Sequence, residues 1–117
     1  MKSEQPNSIS PMSAAAFHVL LALASQDLHG YGIIQEVTRL SNGQYRIGPG
    51  TLYDNLKKLI NSGWVKDFEE EGPVGVERRR MYRLTEEGRD ALKADVSRLK
   101  SVLRIANRRL VREGGGA

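Results

Sequence analysis

Apolar residues in the middle of the chain recur every three or four positions, a period typical of an amphipathic helix. The stripe that they form consists of Leu52, Leu56, Leu59 and Ile60. Pro49 suits the first turn of this helix because its φ is already helical and it has no N–H to leave unpaired. Gly63 suits the end, since glycine takes the left-handed conformation without a Cβ penalty. The pattern therefore predicts a helix between Pro49 and Gly63 with one face on a core.

The opposite face of this central helix is polar and carries Lys57 and Lys58. Its start, Gly48-Pro49-Gly50, is rich in glycine, which leaves the backbone accessible. A short helix with such a start and a lysine-bearing face is what reading of the DNA major groove requires. On the helix alone, a surface helix whose lysines only confer solubility is an equally good interpretation.

Two further helices are predicted before the central one. Residues 14–24 are almost all apolar, which predicts a helix buried on most sides, with Ser13 as its N-cap. Residues 30–40 predict a second helix after a short polar break at 25–29. Its core stripe consists of Ile33, Ile34, Val37 and Leu40. Residues 45–47 are β-prone and bounded by turns, so they predict a small strand.

After the central helix the pattern changes to that of strands. Residues 64–71 and 76–84 flank Gly72-Pro73-Val74-Gly75, a sequence typical of a turn, and so predict a β-hairpin. Met81 and Leu84 are its expected inward anchors. Three helices followed by a basic hairpin is the layout of a winged helix-turn-helix. The predicted fold is thus mainly α with a small β-hairpin wing.

The returning arm of the hairpin carries four arginines: Arg78, Arg79, Arg80 and Arg83. Because side chains alternate between the two faces of a strand, these arginines cannot all contact one partner at once. Arg78 and Arg79 are expected to follow a DNA backbone or to enter the minor groove. Arg80 is expected to pair instead with Glu69 or Glu71 across the hairpin.

The last long segment predicts a helix from Thr85, its expected N-cap, to Arg112. Apolar residues in it are spaced alternately four and three positions apart, which makes a heptad seam. The seam consists of Leu92, Val96, Leu99, Leu103, Ala106 and Leu110. A body this small cannot cover a helix about 40 Å long, so the seam predicts a homodimer. Phe17 of the first helix is the aromatic residue expected nearest to that interface.

Length and composition limit the possible functions. The chain has 117 residues, and we expect a disordered arm at 1–11, a winged helix-turn-helix domain at 12–84, a dimerisation helix at 85–112 and a flexible tail at 113–117. The net charge of +4 is mild for a nucleic-acid binder. With no cysteine and two separated histidines, we expect no metal, no cofactor and no enzymatic centre. No segment is apolar enough for a membrane span or a signal peptide, so a cytoplasmic protein is expected.

Several motifs resemble those of the PadR (phenolic acid decarboxylase regulator) family. They are HGYGI from His29, GPGTLY from Gly48, GW at Gly63 and RRRMYRLTEEG from Arg78, followed by the long terminal helix. Together they cover about residues 12–112, in order. The resemblance implies a homodimeric winged helix-turn-helix repressor that binds a pseudo-palindromic operator and is released by a small aromatic, phenolic or hydrophobic ligand. The single terminal helix is similar to that of the short family members.

The chain departs from those short members in one respect. Members that bind planar drugs between subunits use an aromatic ring on the terminal helix, whereas residues 85–112 contain no Phe, Trp or Tyr. The identity of an effector therefore does not follow from the resemblance.

The sequence thus predicts a sequence-specific regulator that binds double-stranded DNA. The residues expected at the DNA are Tyr31, Gly50, Thr51, Tyr53, Asp54, Lys57, Lys58, Arg78 and Arg79. The alternative is a protein that acts through its terminal helix, whose basic surface could bind a partner or an anionic membrane. That surface consists of Arg98, Lys100, Arg104, Arg108, Arg109 and Arg112. The apolar seam has no Trp or Phe to anchor in a membrane, which favours a dimer helix in solvent.

Overall fold

The computed structural model describes residues 12–74 and 77–116, with side chains as far as residue 111. Its elements are α1 (Ala14–Ala22), β1 (Leu28–His29), α2 (Gly30–Leu40), α3 (Pro49–Asn61), β2 (Val65–Glu70), β3 (Arg79–Leu84) and α4 (Glu86–Gly116). The predicted arm at 1–11 lies outside the described residues. Four helices with a small antiparallel sheet confirm the winged helix-turn-helix predicted from the sequence.

Helices α1, α2 and α3 pack around one core. Its most deeply buried side chains are Val19, Leu20, Ile33, Val37, Leu52 and Leu56, which follow the helical period of each segment. The Ser13 hydroxyl accepts a hydrogen bond from the Ala16 N–H (3.1 Å), which confirms Ser13 as the N-cap of α1. The prediction that Leu40 belongs to the core is wrong, because this last residue of α2 is exposed.

The sheet has three antiparallel strands in the order β1-β3-β2. Strands β2 and β3 pair from Val65 opposite Leu84 to Glu70 opposite Arg79, which confirms the hairpin. Strand β1 was not predicted: the expected polar break at 25–29 ends in a strand that pairs with the middle of β3.

Residues 45–47, all of which the structure describes, form no strand, so that prediction is wrong. Side chains hold this segment instead. The Tyr45 N–H donates to the Ser41 hydroxyl (2.9 Å), and the Tyr45 ring stacks on His18 with ring centroids 4.2 Å apart. Ile47 is buried, so the apolar residues of this segment indicated that it packs on the core and not that it pairs as a strand.

Thr85 fixes the end of α3 to the start of α4. Its hydroxyl donates to the Gly63 carbonyl (2.7 Å) and accepts from the Gly88 N–H (3.0 Å), which confirms Thr85 as the N-cap. Gly63 has a φ of +81°, as expected for the residue that ends α3. Gly88 packs against the Trp64 carbonyl so closely that a β-carbon would overlap it. This joint sets the direction in which α4 leaves the domain.

The first turns of α4 pack on the domain, and the rest extends away from it. Leu92 is buried, and the Asp95 side chain accepts hydrogen bonds from Arg98 Nε (3.0 Å) and from the Met12 N–H (3.5 Å). The helix has 31 residues, which include 113–116 of the expected tail. At 1.5 Å per residue it is about 46 Å long.

Candidate nucleic-acid interface

The polar face of α3 points away from the core. Leu52, Leu56 and Leu59 are buried, which turns the other side of the helix to solvent. The exposed residues on it include Gly50, Thr51, Tyr53, Asp54, Lys57 and Lys58. Among the described residues no ion pair involves either lysine, so both ammonium groups are available to an external anion or base edge. That these residues contact DNA stays a prediction.

The start of α3 is open. Gly48 occupies the N-cap position and makes no side-chain hydrogen bond to the first turn. A β-carbon at Gly48 or Gly50 would have no heavy atom within 4 Å, and neither residue has a positive φ, so the fold itself does not require glycine there. The first N–H groups of a helix point outward and carry partial positive charge. Bare amides with free space above them suit a phosphate group.

The start of α2 adjoins this surface. His29 Nδ1 accepts a hydrogen bond from the Gly32 N–H (2.8 Å), so the histidine caps the helix. Tyr31 is 65% exposed, as its predicted role requires. The Tyr53 hydroxyl of α3 lies over Gly30, where a β-carbon would overlap it. Glycine at position 30 thus allows α3 to place Tyr53 across the end of α2.

Tyr82 joins the wing to α3. It is buried in the core, and this burial, with a contribution from neighbouring Tyr53, raises the pKa of its hydroxyl. Asp67 lies directly opposite Tyr82 in the sheet, and Glu69 lies opposite Arg80. Because opposite residues share a face and faces alternate along a strand, these four side chains lie on the same side of the sheet. That side is continuous with the outward surface of α3 through Tyr53.

Carboxylates of strand β2 hold two of the four wing arginines. Arg80 Nη1 lies 2.6 Å from Asp67 Oδ2, and Arg80 Nη2 lies 3.6 Å from Glu69 Oε2. Arg78 Nε lies 3.7 Å from Glu69 Oε1. The prediction that Arg80 pairs with Glu69 is confirmed, although its shorter contact is with Asp67. Arg79 points to the other face and forms no ion pair with any described residue.

Arg83, the fourth wing arginine, stabilises the fold. Arg83 donates to both carboxylate oxygens of Asp27 (3.2 and 2.8 Å), and its guanidinium carbon lies 4.7 Å from the Phe68 ring centroid. The hydrogen bonds to Asp27 raise the pKa of Arg83. Arg83 therefore ties β3 to the segment that precedes β1.

The outer half of α4 exposes an apolar surface. Leu103 is 60% exposed and Leu110 70% exposed. The other large apolar residues exposed there are Leu99, Val102, Ile105 and Val111. Phe17, Val96 and Ala106 have intermediate exposure. Leu92 is buried within its own chain, so the predicted seam is covered at its start and bare further along.

A groove of about 310 Å³ runs beside the inner half of α4. It is lined by Arg89, Leu92, Lys93, Val96, Ser97 and Lys100. Its apolar floor and its three cationic side chains suit a small amphipathic anion better than a neutral hydrocarbon.

In the part of the chain that the structure describes, no group of His, Asp and Glu residues is arranged to hold a metal ion. No helix among those residues is both long enough and apolar enough to cross a membrane.

The structure adds residues that the sequence pattern did not single out. Gly30 makes room for Tyr53, Tyr82 joins the wing to α3, and Asp67 holds a wing arginine. Gly30 belongs to the HGYGI motif, but its contact with Tyr53 of another helix does not affect the spacing of apolar residues within its own helix. The alternation within β2 could have assigned Asp67 to the face that carries Glu69.

Comparison with protein families matches residues 19–94 to the transcriptional regulator PadR-like family. The chain is also similar to the transcriptional regulator Rv3488 of Mycobacterium tuberculosis. The two are 36% identical over 92 residues, which cover 79% of this chain and 81% of that protein.

Solved structures share the fold. A PadR family transcription regulator from Clostridium difficile aligns with a TM-score of 0.72 at 22% identity, over 84% of this chain and 99% of that one. Bacillus subtilis PadR, in complex with operator DNA, aligns with a TM-score of 0.61 at 22% identity, over 70% of this chain and 47% of that one. At such low identity the likeness establishes the fold alone.

Proposed function

The chain belongs to the PadR-like family of transcriptional regulators, and we propose that it binds DNA sequence-specifically as a homodimer and represses transcription from a pseudo-palindromic operator in the cytoplasm. Membership of this family makes it a regulator and not an enzyme. The observation that carries the proposal is the outward face of α3, with its uncapped start and with Lys57 and Lys58, which form no ion pair with the residues that the structure describes.

In this proposal α3 lies in the major groove. Thr51 and the free N–H groups around Gly50 hold a phosphate, which fixes the depth of the helix. Lys57 reaches the O6 and N7 acceptors of a guanine, and Lys58 contacts a neighbouring base or the backbone. Tyr53 and Asp54 complete the surface that faces the groove.

Two further elements extend the contact beyond α3. Tyr31, at the exposed start of α2, holds the phosphates on the opposite side of the groove. Arg78 and Arg79 of the wing follow the backbone or enter the adjacent minor groove. Arg79 lies on the face of β3 opposite to that of Arg80, whereas Arg78 precedes β3 and lies 3.7 Å from Glu69, so each of the two contacts a different part of the DNA.

Two copies of the chain associate through α4. Full burial of a Leu or Val side chain contributes about 1.5–3 kcal/mol, so the exposed Leu103 and Leu110 favour a partner helix. A symmetric pair buries the same surface on both copies. The pair also holds two α3 helices at a fixed separation, as adjacent half-sites about one DNA turn apart require.

Release by a small ligand fits the groove beside α4. A molecule with an aromatic or aliphatic body and an acid group would contact Leu92 and Val96 and pair with Arg89 or Lys93. Binding there would change the tilt of α4 and with it the spacing of the two α3 helices. Operator affinity measured across a set of phenolic acids, with Trp64 emission as a binding signal, tests this part. Compounds that bind but leave operator affinity unchanged would contradict it.

The proposed DNA binding is tested with fluorescent duplexes and purified protein. A sequence-specific binder prefers one duplex over its scrambled form. Its affinity also falls with salt, with a log–log slope of about 0.9 per neutralised phosphate. Equal affinity for both duplexes would contradict sequence-specific reading, and a flat salt dependence would contradict the phosphate contacts.

A further inference from the structure

The four residues Asp67, Glu69, Arg78 and Arg80 form a group that we name the wing clamp. Glu69 is its centre, because its two carboxylate oxygens lie 3.7 Å from Arg78 and 3.6 Å from Arg80. Asp67 holds Arg80 from the other side at 2.6 Å. Two carboxylates thus neutralise two guanidinium groups in the half of the hairpin that leads to its turn.

The position of the wing clamp relates it to the DNA-facing surface. Its Asp67 lies opposite Tyr82 in the sheet, and Tyr82 adjoins Tyr53 on the outward face of α3. The clamp therefore lies on the side of the sheet that continues the α3 surface. A duplex bound to α3 would bring its phosphates toward Arg78 and Arg80, where Glu69 already competes for them.

Stability does not account for the clamp. The Arg80 and Glu69 side chains are about half exposed and that of Arg78 is 64% exposed, and exposed ion pairs add little to stability. The clamp does change the charge of the domain. Residues 12–84 contain nine basic and eight acidic side chains, so the DNA-binding domain is almost neutral although its wing carries four arginines.

We propose that Glu69 is a specificity-determining residue, which restrains Arg78 and Arg80 and so suppresses binding to DNA backbone of any sequence. This inference rests on the proposed function. A non-cognate duplex must separate Arg78 and Arg80 from their carboxylates before its phosphates can contact them. Because each arginine then exchanges one anion for another, the duplex gains little binding free energy. On the operator, the base contacts of α3 already hold the duplex in register. The phosphates therefore stay close to Arg78 and Arg80, and the exchange occurs. Because Glu69 lowers the affinity for DNA of any sequence, the contacts of α3 determine which sequence is bound.

The test is Glu69→Gln, which keeps the shape of the side chain and removes its charge. We expect the dissociation constant for a random-sequence duplex to fall by about three- to tenfold, and that for the tightest selected duplex to fall less. The salt slope on the random duplex should steepen by about 0.9 for each arginine that is freed. The ratio between the two affinities therefore decreases.

Glu70→Gln is the matched control. It removes the same charge one residue further along β2, on the other face of the sheet, where Glu70 forms no ion pair with any described residue. We expect its salt slope to stay at the wild-type value. Glu69→Gln should also have no effect in a chain that already carries Arg78→Ala and Arg80→Ala.

The outcomes separate this inference from the function on which it rests. Wild-type protein that binds no duplex overturns both. Wild-type protein that binds DNA, with Glu69→Gln and Glu70→Gln giving the same slopes, overturns only the role of Glu69. A Glu69→Gln effect that persists without the two arginines would also overturn it, because the carboxylate would then act only through net charge.

Discussion

The hydroxyl of Tyr53 lies directly over Gly30. The exposed face of α3 therefore contacts the start of α2 through this tyrosine, at a position where α2 has no side chain. Tyr53 is 50% exposed, and the buried part of it spans the gap between the two helices. The angle between the two helices of a helix-turn-helix decides which phosphates and which base edges a protein reaches together. In this chain the contact between Tyr53 and Gly30 lies at that junction.

Gly30→Ala should weaken operator binding by about tenfold, which is about 1.4 kcal/mol. The added methyl group displaces the tip of Tyr53, which can rotate away, so the thermal unfolding midpoint should change little. Binding titration and thermal unfolding of the same variant measure the two effects.

The control for Gly30→Ala is Tyr53→Phe, which removes the hydroxyl, the nearest of the Tyr53 atoms that the methyl group would meet. In that background Gly30→Ala should cost less than it does in the wild-type chain, because the two changes act at one contact. Strictly additive effects would show that Tyr53 is not the cause.

Gly50→Ala should affect stability and binding in opposite directions. Alanine in a helix is more stable than glycine by about 0.5–1 kcal/mol, and a β-carbon at position 50 meets nothing within 4 Å in the free chain. The same β-carbon occupies the space where a phosphate would approach, so operator affinity should fall. Denaturant unfolding and binding titration test the two effects separately.

Gly88→Ala, in α4, should be strongly destabilising, in contrast to Gly50→Ala in α3. Its β-carbon would overlap the Trp64 carbonyl, which belongs to the backbone and cannot rotate away. We expect a loss of about 2–3 kcal/mol in the free energy of unfolding, typical of overpacking. If Gly50→Ala destabilised the chain as much as Gly88→Ala does, the space above α3 would not be free.

Lys57→Ala should weaken operator binding by about 1–3 kcal/mol and relax the preference at one base pair, if Lys57 reads a guanine edge. The measurement is affinity for a panel of operators, each with one substituted base pair. Lys66→Ala removes an exposed lysine from the face of β2 opposite to that of Asp67, and is the matched control. The same loss at every base pair for Lys57→Ala would make Lys57 a phosphate contact instead.

Leu103→Asp should convert a dimer into folded monomers. Leu103 is bare in the single chain, so the change leaves the core intact but places a charge in the seam. Sedimentation equilibrium measures the mass. Ser101→Asp adds the same charge on another face of α4 and should stay dimeric. An unchanged mass for Leu103→Asp would contradict association through this surface.

The helical elements of the fold follow from the sequence, because burial in helices recurs with a local period. The stripe of Leu52, Leu56 and Leu59 fixed both the inward and the outward face of α3. Strand β1 could not be predicted in this way. It has two residues, Leu28 and His29, and its partners lie in β3, so no local alternation marks it.

The predicted strand at 45–47 failed for a related reason. The β-branched and aromatic residues that favour strands also suit any extended segment that is half buried. Here the Ser41 hydroxyl and the His18 ring take the place of a neighbouring strand. At the interface, the exposed residues of α3 were predictable. The contact between Tyr53 and Gly30 and the wing clamp were not, since both depend on which elements meet.

Selection of bound duplexes from a random DNA pool tests the central claim most directly, namely that paired α4 helices hold two α3 helices at one separation. The claim predicts an inverted repeat whose half-site centres lie about 10 base pairs, or a multiple of that, apart. Leu103→Asp protein should recover no fixed spacing. Enrichment of a single half-site without a repeat by the wild-type protein, or of no motif at all, would contradict the account.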